Sequence, residues 1–183
     1  MARHRRIALP LLAALVIAAL TLGVTACGYS SDSKSVVEGE SVSLGDLKYT
    51  VIFSRFLNPR DSEDSAYLVG QPQLPPGQSY FGVFFEIQNE SDKPQSLPRS
   101  LEITDAAHKA YHSLDSESLY ALPFEGEVEP EEQIPVLDST PQQGPIEGSL
   151  VIFRLPASAS ESRPLTLHIP GPEPESAEVT LDL

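Results

Sequence analysis

Serines and carboxylates are plentiful in this 183-residue sequence, but one cysteine, one methionine and four histidines are its only soft or imidazole side chains, and the placement of all of these restricts the chemistry they could do. Cys27 is the only cysteine, so no disulfide can form within the chain. His108 and His112 stand four apart, the spacing of a metal pair on a helix, but they fall in a turn and a short predicted strand, where that spacing does not bring two imidazoles together. His168 alternates against Leu167 and Ile169 and is expected on the solvent side of its strand. A copper carrier would want methionine sulfur beside imidazole, and the only methionine is Met1. Asp61, Glu63 and Asp64 supply oxygen ligands of the kind calcium takes, without the alternating ligands and the glycine of an EF-hand loop. Neither Gly77-Gln78-Ser79-Tyr80-Phe81 nor Gly39-Glu40-Ser41-Val42-Ser43 completes a G-x-S-x-G nucleophile elbow. The expectation is a protein without catalytic residues, metal ligands or cofactor. The alternative is a calcium-binding or enzymatic module that draws on the loop carboxylates and histidines.

The position of Cys27 gives its thiol a different use. Arg3, Arg5 and Arg6 precede an uncharged stretch from Ile7 to Val24, the layout of an export signal whose basic end stays on the cytoplasmic side. Val24-Thr25-Ala26-Cys27 then resembles a bacterial lipobox, in which the thiol accepts a diacylglycerol and cleavage makes the cysteine the first mature residue. The competing reading is an uncleaved membrane helix, because about 17–20 apolar residues can just cross a bilayer. Lipidation assigns residues 1–26 to a lipoprotein signal peptide and Cys27 to the anchor, with diacylglycerol and palmitate chains holding it to the bilayer. Each buried CH₂ contributes about 0.8 kcal/mol, so two or three chains hold the protein where one would not. Residues 27–41 are serine-rich and polar, and they are expected to form a flexible tether. The expected location is the extracytoplasmic face of the cell membrane. Loss of the three arginines leaves nine basic against 26 acidic residues, a net charge of −17. Such a surface repels nucleic acid and leaves cationic peptides, divalent cations or neutral ligands as partners.

Residues 42–183 make one domain's length, and their scattered prolines exclude long helices. Short runs rich in β-branched and aromatic residues predict strands at Leu47–Phe56, Tyr80–Asn89, Leu101–Thr104, Gly148–Leu155, Pro164–Ile169 and Ala177–Leu183. Alternation puts Leu47, Tyr49, Val51 and Phe53 on one face of the first, and Val83, Phe85 and Ile87 on one face of the second. The corresponding sets are Val151, Phe153 and Leu155; Leu165, Leu167 and Ile169; and Val179, Leu181 and Leu183. These faces would close one core between two antiparallel sheets. Asn89 to Pro94 predicts a tight turn. Residues 57–79 and 123–147, dense in Pro and Gly, fit no strand and read as long loops, each either functional or hiding a short strand.

A family resemblance follows from the same stretches. The aromatic strand ending in Asn89, then Leu101-Glu102-Ile103-Thr104-Asp105 with Tyr111, Glu129-Pro130, and Gly148-Ser149-Leu150-Val151-Ile152-Phe153 before Pro156, resemble bacterial lipoprotein domains of unknown function. Those domains are immunoglobulin-like β-sandwiches, similar in architecture to a secreted mycobacterial immunoprotective antigen. The resemblance runs from Asp46 to Leu183 and implies an all-β, immunoglobulin-like antiparallel sandwich with no agreed catalytic residues. The family usually turns on glycine after the aspartate, whereas Asp105 is followed here by Ala106-Ala107-His108, leaving that hairpin's register open. The expected function is a monomeric, non-catalytic interaction domain for an envelope protein, peptide or glycan. Its expected partner-facing loop carries Arg60, Tyr67 and Leu68, which combine a cation with apolar anchors.

Only the Cys27 thiol can accept the lipid. Wild-type protein should partition into detergent, and Cys27→Ser should leave the precursor uncleaved or release unlipidated chain. Equal detergent partitioning of the two forms would end the lipoprotein reading.

Overall fold

Twelve strands and one short α-helix build the domain in the computed structural model, which describes residues 32–182. Cys27 and the signal segment lie outside the described residues. The strands are β1 (Asp32–Val37), β2 (Ser41–Leu44), β3 (Leu47–Leu57), β4 (Gln78–Asn89), β5 (Gln95–Ser96) and β6 (Glu102–Thr104). They continue with β7 (Ala110–Leu114), β8 (Glu127–Val128), β9 (Gln133–Ile134), β10 (Ser149–Pro156), β11 (Leu165–Pro170) and β12 (Glu175–Leu181). Helix α1 (Ser62–Tyr67) lies between β3 and β4, and a 3₁₀ turn spans Ala157–Glu161.

Hydrogen bonding runs in the order β1-β12-β11-β6-β7-β10-β4-β3-β2, with β9 added beside β4 and β5–β8 forming a separate pair. Strand β7 turns the corner. Its residues from Ala110 to His112 pair with β6, and Ser113 and Leu114 pair with β10. The path therefore folds into two layers whose inner faces share one core, an immunoglobulin-like β-sandwich. Leu44, Tyr49, Val51, Val83, Phe85 and Phe153 from one layer meet Ile103, Leu167, Ile169 and Val179 from the other. All named strand pairs are antiparallel except β1 with β12.

The six predicted strands are present with ends shifted by one or two residues. The β2–β3 hairpin turns on Gly45-Asp46, and Gly45 takes a φ of +56°, a left-handed conformation that glycine adopts without a Cβ clash. The hairpin after β6 is settled by Asp105, and His108 fills the left-handed position with a φ of 59°.

Three expectations require correction. Residues 32–37, assigned to the tether, form edge strand β1. A parallel edge needs little apolar surface, because backbone bonds to β12 hold it and Lys34 ties it down by donating to Ser43 O at 2.8 Å and to Glu175 at 3.0 Å. Phe53 does not face the core. A bulge between Val51 and Phe53 inserts one residue, so Ile52 and Phe53 both leave the inner face and Phe53 is 41 % exposed. The Glu38 carboxylate then accepts from the Ser54 N–H at 3.0 Å and from its hydroxyl. The segment 57–79 is neither a structureless loop nor a strand, because it contains α1. The segment 123–147, by contrast, hides short strands as one of its two expected alternatives had it, namely β8 and β9.

Truncation should separate these environments. Phe85→Ala and Phe153→Ala, both fully buried, should each cost about 3–5 kcal/mol in urea unfolding. Phe53→Ala should cost about 1 kcal/mol or less, since much of that ring already meets water. A loss at Phe53 as large as at Phe85 would contradict the bulge.

Candidate functional site

The middle of the sheet is apolar on both sides. Tyr80 and Phe84 of β4, Leu150 and Ile152 of β10 and Leu57 of β3 point away from the sandwich core yet are buried. What covers them is the pair of segments that the sequence left without assignment. Gly82 lies beneath this cover, where an added Cβ would stand 2.9 Å from Leu150 Cδ1.

Helix α1 is locked over this face by its acidic residues. Asp61 caps it, its Oδ1 accepting from the N–H groups of Glu63 at 2.9 Å and Asp64 at 3.3 Å. The bulge in β3 turns Arg55 outward beneath the helix, where its guanidinium donates to Glu63 and Asp64, each at 3.0 Å. Asp64 Oδ2 also accepts from the Asn58 N–H at 2.6 Å. Its buried Oδ1 meets the same guanidinium as an ion pair without a hydrogen bond of its own. Calcium at Asp61, Glu63 and Asp64 would therefore have to displace Arg55 and the helix cap.

Tyr67 and Leu68 are corrected by the same geometry. Expected to face a partner, Tyr67 is 1 % exposed, packed edge-on against Phe84 at 5.2 Å and Tyr120 at 4.9 Å, and Leu68 is buried beside it. Their apolar surface is spent on the sheet. Burial, reinforced by the Glu63 charge, pushes the Tyr67 hydroxyl up to about 12. The signal for this arrangement was present in β4 and β10, whose near-continuous apolar runs suit strands covered on both faces.

Arg60 remains accessible. It lines a cleft of about 580 Å³ between the 57–74 segment and the start of β4, with Asn58, Ser65, Gln73, Gln78 and Ser79 among the polar side chains and Leu68, Leu74 and Pro72 among the apolar ones. The Arg60 side chain makes no ion pair among the described residues. Opposite the α1 segment, Pro75-Pro76-Gly77-Gln78 closes a turn in which the Gln78 N–H reaches Pro75 O at 3.3 Å. The Tyr80 hydroxyl donates to Pro72 O, so the cleft wall is tied at both ends.

The histidines are dispersed. His108 occupies its turn, and exposed His112 sits 3.4 Å from Glu102. His168 faces outward as alternation requires, hydrogen-bonded to Thr104 Oγ1 at 2.8 Å. Among the described residues no three His, Cys, Asp or Glu side chains form a group that could hold a metal, and no helix is long and apolar enough to cross a membrane.

Comparison with known proteins bears on the fold alone. No protein-family model matches the chain, and no curated protein sequence matches it. Among solved structures, it is similar to an uncharacterized β-sandwich protein from Clostridium difficile 630, with a TM-score of 0.50 and 16 % identity over 83 % of this chain and 96 % of that one. It is also similar to the yjhA protein from Bacillus subtilis, with a TM-score of 0.53 and 13 % identity over 80 % of this chain and 99 % of that one. The likeness to the mycobacterial antigen rests on the sequence resemblance by itself. The chain is a β-sandwich of unknown function.

Asp105 provides a pH test of the hairpin between β6 and β7. Its Oδ1 accepts from the Lys109 N–H at 3.0 Å and the Ala107 N–H at 2.9 Å, and its Oδ2 accepts from the Tyr111 hydroxyl at 3.0 Å. These bonds, led by the one from Lys109, hold the carboxyl below its ordinary value. Burial, with the Asp105 bond and charge, pushes Tyr111 up to about 12. A lowered folded-state value means that the stabilisation is complete above the unfolded value near 4 and fades as pH falls through the folded one. Asp105→Asn should therefore cost about 1–3 kcal/mol at neutral pH, with the gap to wild type narrowing in strong acid. A gap that does not change with pH would assign the loss to shape and not to charge.

Proposed function

We propose that this chain is a lipid-anchored protein of the extracytoplasmic membrane face whose β-sandwich is a monomeric, non-catalytic binding domain for a peptide or glycan. The signal-like N-terminus and Cys27 support the anchor. The observation that carries the binding role is the open cleft beside α1, where the Arg60 guanidinium stands without an ion-pair partner among the described residues in a strongly acidic domain.

Amide and hydroxyl side chains both donate and accept, which suits the peptide groups of an extended chain or the hydroxyls of a sugar. Leucine and proline side chains supply flat apolar contact between them. A guanidinium at the rim selects a carboxylate or another planar anion by paired N–H donation. The favoured ligand is thus an otherwise neutral peptide or glycan that brings one carboxylate to the Arg60 guanidinium, since the acidic domain around the cleft repels a ligand of many negative charges. Helix α1 is anchored by the Arg55 ion pairs and the Tyr67 packing, and Pro72 by the Tyr80 hydroxyl, so these walls of the cleft are set before a ligand arrives. The acidic residues of the same segment are engaged in capping and ion pairing, which supports the non-catalytic reading.

The test is titration of the mature chain with short peptides ending in a free or amidated carboxyl group and with acidic or neutral oligosaccharides. Saturable binding of a carboxylate-bearing probe is expected, weakened about tenfold by Arg60→Met, with the neutral counterparts insensitive to that change. Equal affinity of wild type and Arg60→Met for every probe would remove the cleft from consideration. Recovery of a chemically altered probe would overturn the non-catalytic reading.

A further inference from the structure

A second surface, sharing no lining residue with the Arg60 cleft, carries a different signature. Three of the most exposed large apolar side chains of the domain lie together around the 119–137 region: Leu119 at 79 %, Val136 at 56 % and Leu137 at 64 % exposure. Leu119 and Val136 border a cleft of about 310 Å³ whose floor and walls include Ala121, Val128, Ile134 and Pro135. The Ser139 hydroxyl oxygen, in the wall of that cleft, is buried without a hydrogen-bond partner.

The rim is uniformly acidic. Glu127, Glu129 and Glu132 line it, Glu131 is adjacent in the chain, and none of the four makes an ion pair among the described residues. From Ala110 to Phe153 the sequence contains nine Asp or Glu and no Lys or Arg. Arg99, the cation nearest in pairing, is engaged with Glu125. Beside β9, the chain continues through Pro135 directly into Val136 and Leu137, which face solvent and do not join the core.

The geometry points to a docking site for a cationic amphipathic polypeptide segment, one that places apolar side chains into the Leu119–Val136 cleft and Lys or Arg beside Glu127, Glu129 and Glu132. Charge selects this occupant. A second copy of the chain would bring the same carboxylates against this rim, and an anionic membrane surface would be repelled by it. A basic segment gains on both counts, because apolar contact supplies burial and each Lys or Arg meets an unpaired carboxylate.

The probe is a short synthetic peptide alternating Leu with Lys, passed over the lipidated mature chain in nanodiscs of zwitterionic lipid, with empty nanodiscs as reference. Two control peptides carry Glu in place of Lys, or Ser in place of Leu. Saturable binding of the Leu/Lys peptide is expected, with both controls at least about tenfold weaker. Val136→Ser with Leu137→Ser alters only exposed side chains and should lower affinity about tenfold. Glu127→Gln, Glu129→Gln and Glu132→Gln together should lower it comparably and flatten its salt dependence. Glu161→Gln with Glu173→Gln, exposed and elsewhere, should leave it within about twofold.

A loss at the Glu161 and Glu173 pair equal to that of the rim variant would mean general attraction to an acidic surface and overturn the proposal. Equal binding of the Ser-containing peptide would do so by removing the apolar requirement. Concentration-dependent dimers in sedimentation that vanish in the Val136 and Leu137 variant would make a second copy the occupant and also overturn it. So would absence of binding by the Leu/Lys peptide.

Discussion

Apolar side chains on both faces of β4 and β10 set the constraint that the rest of this domain meets. A two-layer sandwich buries one face of each sheet, and the other is ordinarily polar. Here Val83, Phe85 and Ile87 enter the shared core while Tyr80 and Phe84 project the opposite way. Leaving those rings in water would forfeit about 1.5–3 kcal/mol for each large side chain. The chain therefore commits the 57–79 segment and the stretch from Tyr120 to Ile146 to covering them, and Tyr67, Leu68, Leu74, Tyr120 and Ile146 form the underside of that cover. The long insertions are structural before they are anything else.

The cover also explains the use made of acidic residues. Asp61, Asp64, Glu38, Asp105 and Glu175 each accept from backbone N–H groups at a helix start, a bulge, a hairpin or a strand junction. Asn89 does the same work from a neutral amide, donating to the carbonyls of Lys93, Val128 and Glu129. Irregular backbone must find partners somewhere, and side-chain oxygens placed at turns supply them. Much of the carboxylate clustering that suggests metal or acid–base chemistry is thus accounted for by hydrogen bonding within the fold.

What remains outward divides into two surfaces of different character. Beside α1 the cleft is lined by amides and hydroxyls with one guanidinium at the rim. Beyond β9 the surface is apolar, with carboxylates around it. Both belong to segments that cover the doubly buried strands. Each segment has an inner side dictated by the sheet and an outer side free to vary, which is how a rigid scaffold carries recognition on its connections.

The amino-acid sequence by itself determined the all-β class, six strands to within one or two residues, and the inward sets of β4, β10, β11 and, for Val179 and Leu181, β12, because period-two alternation and the exclusion of helix by proline are local properties; Leu183, expected beside them, lies outside the described residues. It also determined that Asn89 to Pro94 is a turn, through side-chain bonding that acts over a few residues. It did not reveal β1, whose weakly patterned residues are ordered only by β12 and by Lys34 reaching Glu175, more than a hundred positions away. Nor did it reveal the outward turn of Phe53, since a single bulge residue reverses which face every later side chain takes. Of the proposed partner-facing residues, Arg60 stayed at the surface while Tyr67 and Leu68 went inside, although all three belong to one loop of similar composition. Tertiary structure decided between them, because the outer face of β4 and β10 offered apolar side chains a dry partner and offered a guanidinium none. Only the folded chain has that face.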